Sequence, residues 1–211
     1  MNNENLAVPE LATVEIHGHT RAAFILRGAM AAGAVYGLGA VSPFVGQALA
    51  QGGGDADIVN FALTLEYLES AFYTQAVKKV PGLSGKTLDL AKELRDDENQ
   101  HVSALIAAVK QLGGTPVKAP GVDFGAAFKS KDAFLKTANV FEDTGVSAYN
   151  GAAPSIQSGA ILGAAGSIVQ VEARHASLIR LQRGAPPAPL AFDKASTKQQ
   201  VLTAVKPFIK G

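Results

Sequence analysis

The chain has 211 residues, of which 47% are hydrophobic, and it carries 19 Lys and Arg against 18 Asp and Glu. This is enough for one domain with a sizeable core, and the balanced charge without a long basic cluster argues against a nucleic-acid partner. Cysteine is absent, which excludes a disulfide framework, a Cys-ligated metal site and thiol catalysis, so any metal must be bound by histidines and carboxylates.

The first fifty residues have the order of an export segment. Basic residues at Arg21 and Arg27 precede an apolar run over 28–45, and an A-x-A sequence ends at Ala50. This order predicts a secretory signal at 1–50 and a mature protein in the periplasm or cell envelope. The alternative is an uncleaved membrane anchor over residues 28–50, since about 20 apolar residues suffice to span a bilayer.

After a linker at 51–55, four segments between residues 56 and 183 have apolar residues at a helical period. The apolar period covers residues 58–76, 86–109, 131–149 and 157–183 in turn. Breaks rich in glycine and proline separate these segments. The first and third breaks are short, whereas about 17 residues join the second segment to the third. A connection of that length can run the length of a bundle, so the pattern predicts an all-α four-helix bundle with one long crossover between helices 2 and 3.

The remaining residues, 184–211, form a tail. It starts with a proline-rich turn and contains one short amphipathic helix near Thr197 to Val205. We expect this helix to dock on the bundle.

The second and fourth helices each contain the sequence E-x-x-H, as Glu98 and His101 and as Glu172 and His175. Residues three apart on a helix lie on the same side, so both side chains can reach one point, as metal ligands must. A single pair is equally typical of a surface salt bridge. Two pairs, containing both histidines found outside the first fifty residues, favour a metal site.

The first and third helices each add a glutamate among apolar residues, Glu66 and Glu142, and each glutamate is followed seven residues later by a tyrosine, Tyr73 and Tyr149. Seven residues are close to two turns, so each tyrosine lies on the same helix face as its glutamate, about 10 Å away. We therefore expect the tyrosines to line the same interior, either packed as buried aromatics or bonded to glutamates.

The chain thus contains two weak repeats of the form E-x6-Y followed by E-x-x-H. The repeat favours Glu66 over its neighbour Glu69 as a ligand, because the residue that corresponds to Glu69 in the second repeat is Gly145, which has no side chain to bind a metal.

These residues resemble those of the ferritin-like di-iron carboxylate proteins, which use one Glu from each of two helices and Glu-x-x-His from each of the other two. More closely, residues 55–183 resemble the ferritin-like domain of exported bacterial proteins and plant desiccation-related proteins, through "NFALTLEYLESAFY", "ENQHVSAL", "FEDTGVSAYNGAAPSI" and "GSIVQVEARHASLIR". The resemblance implies a ferritin-like four-helix bundle with the long crossover between helices 2 and 3, plus a short C-terminal helix.

The resemblance also implies a centre with two metal ions. Its ligands would be two bridging glutamates, Glu98 and Glu172, with Glu66 and His101 on one metal and Glu142 and His175 on the other. Four glutamates balance the charge of two divalent cations. Mixed oxygen and imidazole ligation suits iron, the expected metal, or manganese.

A further carboxylate is expected to orient one histidine. In similar bundles, the acid just before the E-x-x-H glutamate bonds to the histidine of the paired helix, so we expect Asp97 to hold His175. The matching position on helix 4 is Val171. We therefore expect an asymmetric site in which His101 has a different acceptor.

The function implied is a ferroxidase-like oxidation of Fe(II) with oxygen or peroxide at the metal pair. One alternative is manganese-catalase-like removal of peroxide. Another is a non-catalytic stress- or desiccation-related protein whose fold is stabilised by metal. A membrane contact is expected only if the N-terminal segment remains uncleaved, and the sequence leaves open whether the chain forms a homo-oligomer.

Overall fold

The computed structural model describes residues 54–210, so the predicted export segment or anchor and most of the linker lie outside the described residues. Within this part of the chain, none of the helices is both long and apolar enough to cross a membrane.

The described residues form five α-helices. They are α1 (Asp55–Lys79), α2 (Gly85–Gln111), α3 (Lys131–Ala152), α4 (Gly159–Gln182) and α5 (Lys198–Val205), with short 3-10 turns at Gly125–Phe128, Ala153–Ser155 and Lys206–Phe208. The prediction of an all-α bundle with a short C-terminal helix is confirmed.

Local capping explains where several helices begin. Ser130 and Ser158 each accept a hydrogen bond from a backbone N–H in the first turn, at the starts of α3 and α4, and Thr197 forms a capping box with Gln200 at the start of α5. The sequence period placed the start of α4 near Gln157. The helix begins two residues later because Ser158 takes the capping position.

The order of the core residues along each helix gives the direction of the chain. The buried apolar residues form two clusters, one around Phe72 and one that contains Val59 and Val109. The Val59 cluster is reached first along α1 and α4, whereas the Phe72 cluster is reached first along α2 and α3. The consecutive helices α2 and α3 are therefore parallel, and the chain must return along the bundle between them, which explains the long crossover.

Side chains and the tail hold this crossover in place. The Asn60 amide on α1 donates to the Thr115 carbonyl at 3.1 Å and accepts from the Val117 N–H at 2.9 Å. Further along, Val122 forms a β-bridge with Ile209 near the end of the tail. The crossover is thus bonded both to the bundle and to the C-terminal segment.

The bundle core has two apolar clusters with a polar layer between them. One cluster centres on Phe72, whose ring lies 4.9 to 5.5 Å from four other phenylalanine rings. The other contains Val59, Leu63, Leu105 and Val109. On α2 and α4, the buried glutamates and histidines stand between the residues of the two clusters, whereas on α1 and α3 residues of the Phe72 cluster flank the buried glutamates on both sides.

A candidate metal centre between two apolar layers

The structure brings all six predicted ligand residues together. They come from four helices and are all buried: Glu66 from α1, Glu98 and His101 from α2, Glu142 from α3, and Glu172 and His175 from α4. Neither E-x-x-H pair is the surface salt bridge that a single occurrence would have allowed.

Their ligand atoms form two overlapping groups. In each group, one atom from every member lies within 4.8 Å of the others; the first contains Glu66, Glu98, His101 and Glu172, and the second contains Glu98, Glu142, Glu172 and His175. Two glutamates, Glu98 and Glu172, are shared by both groups. This division matches the one implied by the resemblance, and the groups could hold metal ions.

The two histidines point the same ring nitrogen into the cluster. His101 Nδ1 lies 3.2 Å from oxygens of Glu66, Glu98 and Glu172. His175 Nδ1 lies 3.1 Å from Glu98 Oε1 and 3.4 Å from Glu142 Oε2. An imidazole whose Nδ1 faces several carboxylates is placed to share a metal ion with them.

Several of these atoms lack the partners that buried polar atoms require. Within residues 54–210, one oxygen each of Glu98 and Glu142, both oxygens of Glu172 and Nδ1 of His175 are buried without a hydrogen bond. Some of these atoms lie within 3.4 Å of one another across a histidine and a carboxylate without forming a hydrogen bond. Because unbonded buried polar atoms are costly, a set of lone pairs around one interior point fits metal ions.

The two tyrosines bond to glutamates, in a crosswise arrangement. Tyr149 on α3 donates to Glu66 Oε1 on α1 at 2.6 Å, and Tyr73 on α1 donates to Glu142 on α3. Neither tyrosine reaches the glutamate of its own helix. Helical side chains lean towards the N-terminus, which carries each phenol back to the level of the opposite glutamate.

Asp97 lies where the sequence predicted it. Its Oδ2 atom is 3.1 Å from His175 Nε2, so the carboxylate holds the ring nitrogen that faces away from the cluster. Among the described residues, His101 has hydrogen-bond contacts only with glutamates of the cluster. Val171, at the position on α4 that corresponds to Asp97, lines the same pocket as His101. The two histidines therefore differ in their contacts, but the different acceptor expected for His101 is not seen among the described residues.

Burial and mutual repulsion change the protonation of the carboxylates. Burial, with the charge of Glu66, raises the pKa of Glu98 to about 8. Burial, with the charges of Glu98 and Glu66, also raises the pKa of Glu172 well above its usual range. Burial is the largest single influence on Glu66 and acts in the same direction, but the hydrogen bonds of Glu66 to His101, Glu98 and Tyr149 and the charge of His101 together outweigh it and lower that pKa.

The pKa values of both histidines are also raised, although burial acts on them in the opposite direction. Burial alone would lower the pKa of each imidazole, but the close contacts of His101 with the carboxylates of Glu172, Glu66 and Glu98 raise its pKa to about 12. Close contacts with the carboxylates of Glu142 and Glu98 likewise raise the pKa of His175 to about 11. Without metal, the cluster thus retains protons that a bound cation would displace.

One residue of this layer was set aside by the sequence reasoning. Glu69, one turn after Glu66, is 3% exposed and lies among the other acids. The comparison of the two repeats discounted it because Gly145 is its counterpart. Its spacing of three residues from Glu66, on the same helix face, was the signal that placed it in the interior.

Two cavities approach the cluster. An open pocket of about 360 Å³ lies over the two histidines and is lined by polar residues including Glu93, Gln100 and Arg174. An apolar cavity of about 40 Å³ reaches Tyr149 and lies among the first turns of α1 and α4 and the last turns of α2 and α3. The centre therefore has one polar and one apolar approach.

A family model described as ferritin-like domain matches residues 54–185, which is more than half of the chain. No curated protein matches the chain.

Proposed function

The chain belongs to the ferritin-like domain family, and we propose that it binds two iron ions in the bundle core and oxidises Fe(II) with oxygen or peroxide. The observation that carries this proposal is the pair of overlapping Glu and His groups that share Glu98 and Glu172. The more specific similarity to exported and desiccation-related proteins stays a prediction.

The donor set supports iron or manganese rather than a softer metal. Six residues offer carboxylate oxygens and imidazole nitrogens without any sulfur, which suits these two metals. When bound, the metal ions would supply the electron transfer, while the protein fixes their positions and surroundings.

The residues around the ligands support a defined, water-poor centre. Asp97 orients His175, and the tyrosines orient Glu66 and Glu142 through their hydroxyls. The apolar clusters on either side limit access of water along the bundle axis. Small polar solutes such as peroxide can reach the histidines through the open pocket, and oxygen can partition into the apolar cavity.

The first experiment is to load the metal-free protein with Fe(II) without oxygen and then add oxygen or peroxide. We expect two iron ions per chain and oxidation much faster than that of the same concentration of free Fe(II), followed by absorbance of the ferric product. Glu172→Gln removes the charge of a shared glutamate and should abolish the fast phase. Asp89→Asn, at an exposed position of α2, is the matched control.

Other outcomes distinguish the alternatives. Two bound metals without accelerated oxidation would make the metals a structural support and contradict the proposed reaction. Rapid peroxide turnover by the manganese-loaded protein, without Fe(II) oxidation, would identify a catalase-like activity instead. The predicted location in the periplasm or cell envelope is part of the proposal and is tested by sequencing the N-terminus of the mature protein from its native host.

A further inference from the structure

The apolar cavity at one end of the bundle offers almost nothing that could bind water. Its volume is about 40 Å³, and Tyr149 is the one polar side chain among the described residues that line it. The hydroxyl of Tyr149 is already donated to Glu66 Oε1, at 2.6 Å. A buried water molecule needs two or more polar partners as well as space. The cavity has the space without the partners, so it favours an apolar occupant.

The size of the cavity limits what this occupant can be. Its 40 Å³ is much less than the roughly 150 Å³ of an apolar cavity that accepts benzene, so an aromatic ring or an acyl chain would not fit. Dioxygen is small, apolar and without hydrogen-bond donors. Peroxide, by contrast, would lose its hydrogen bonds to water on entering an apolar space. The cavity therefore distinguishes between the two oxidants considered above.

The wall that α4 forms around the cavity is thin and uncharged. Ala164 and Ala165 line the cavity, and a Cβ atom at either flanking glycine, Gly163 or Gly166, would meet nothing within 4 Å. The first charged residue of α4 is Glu172. Small side-chain motions can open a wall of this kind to a diatomic molecule, whereas a larger solute would require displacement of the helix.

The inner end of the cavity adjoins one half of the candidate metal centre. Leu65 on α1 directly precedes Glu66, and Leu105 on α2 follows His101 by one turn; both leucines line the cavity. Tyr149 also lines the cavity and bonds Glu66. A single side chain thus connects the cavity wall to a ligand of the centre.

From these features we propose that the cavity is a binding site for dioxygen, from which oxygen reaches the half of the metal centre that contains Glu66 and His101. The binding of oxygen depends on the cavity alone, whereas its delivery to the metals rests on the proposed function. Peroxide would approach through the polar pocket over the histidines. The two cavities would then serve different oxidants.

The first test uses the metal-free protein and dissolved dioxygen, which is paramagnetic and speeds the relaxation of nearby nuclei. Methyl NMR spectra are recorded under oxygen and under the same pressure of nitrogen. Leu65 and Leu105 line the cavity, whereas Leu68 and Leu94 are similarly buried in the Phe72 cluster and do not line it. We expect the effect of oxygen to be several-fold larger at the first two leucines than at the second two.

A variant that fills the cavity tests the same site. Ala165→Leu introduces a much larger side chain at a lining position, so the additional oxygen effect at the cavity leucines should be lost. Ala160→Leu makes the same substitution at an exposed position of α4 outside the cavity and should retain the effect. Circular dichroism establishes that each variant is folded. If Ala165→Leu does not fold, the comparison of leucines in the wild-type protein still decides whether oxygen binds.

The second test measures oxidation of Fe(II) by the iron-loaded protein at several oxygen concentrations. In Ala165→Leu, the oxygen concentration that gives half the maximal rate should rise several-fold, while the maximal rate changes much less. Ala160→Leu should keep the oxygen dependence of the wild-type protein. The rate with peroxide should also change much less in Ala165→Leu, because peroxide does not use the cavity. A general structural defect would instead slow the reaction with both oxidants.

The outcomes separate this inference from the proposed function. An oxygen effect that is no larger at Leu65 and Leu105 than at Leu68 and Leu94 would overturn the binding site, even if Fe(II) oxidation is fast. Oxygen binding by a protein that does not oxidise Fe(II) faster than free iron would support the site and contradict the proposed reaction. Loss of oxygen binding in Ala165→Leu with an unchanged oxygen dependence would overturn delivery from the cavity to the metals.

Discussion

At the scale of single residues, the contacts of His175 show how one side chain can depend on two others. Its Nδ1 faces Glu98 and Glu142, while its Nε2 bonds to Asp97 on the neighbouring helix. A bond at one nitrogen fixes the ring orientation and the tautomer, and so determines whether the other nitrogen carries a lone pair. Asp97 is therefore part of the site although it does not face the cluster.

We expect Asp97→Ala to weaken metal binding about 10- to 100-fold, which is the usual effect of losing such a partner. Titration with Co(II), followed by calorimetry, measures the affinity. Asp96→Asn is the matched control, because Asp96 is adjacent, exposed and paired only with Arg95 within the described residues. Equal loss in both variants would show that the effect comes from the general negative charge of this surface.

At the scale of the helices, the C-terminal tail is bonded to α3 as well as packed on it. The side chains of Val201, Leu202 and Val205 on α5 join the aromatic cluster. The backbone N–H of Ser196 donates to the Ser147 carbonyl on α3 at 2.9 Å. At this point the two backbones approach so closely that a Cβ at Gly151 would overlap the Ser196 carbonyl.

Gly151→Ala should therefore displace the tail and destabilise the protein, by about 1 to 3 kcal/mol as for other overpacked sites. Urea unfolding of the metal-free protein measures the difference in the free energy of unfolding. Gly163→Ala is the control, since a Cβ at that position of α4 would meet nothing within 4 Å and alanine favours a helix by up to about 1 kcal/mol over glycine. If both variants are stabilised, the tail is not held at Gly151 in solution.

At the scale of the whole molecule, the polar layer opposes folding unless it is neutralised. Its groups hold more protons in the folded, metal-free protein than in the unfolded chain. Glu98 has a pKa of about 8 against 4.5 for an ordinary glutamate, and the histidines have pKa values of about 12 and 11 against 6.5. Glu66, whose pKa is lowered, acts in the opposite sense but is one group among several.

Because the folded state binds more protons, the stability of the metal-free protein should fall as the pH rises from about 5 to 8 and beyond. The contribution of Glu98 to the free energy of unfolding is lost between pH values near 4.5 and 8. The contribution of the two histidines is lost from about 6.5 up to 11 or 12. Thermal unfolding between pH 5 and 9 in a chelating buffer checks this.

With excess Mn(II) the trend should reverse over the same range, because metal ions displace protons from the same atoms and bind more tightly as the pH rises. Identical pH profiles with and without metal would mean that the cations do not bind in the polar layer. Glu172→Gln, which alters a shared glutamate, should reduce the difference between the two profiles.

The sequence by itself determined the helices, their order and the six glutamates and histidines that were expected as ligands, but not Glu69. The apolar period and the positions of glycine and proline fix the helices locally, and the length of the connection between α2 and α3 requires a return along the bundle. The two E-x-x-H pairs and the two isolated glutamates were visible because charged residues are unusual on the buried face of a helix.

Only the tertiary structure decided how these residues meet. Spacing along one helix gives the face of a residue, but the level at which facing helices stand depends on packing between them. The crosswise bonds of the tyrosines and the contact of Asp97 with His175 both depend on that level. The burial of Glu69 beside Gly145 also depends on that level. The comparison of the repeats discounted Glu69, but the glycine on α3 leaves the space in which this carboxylate from α1 lies.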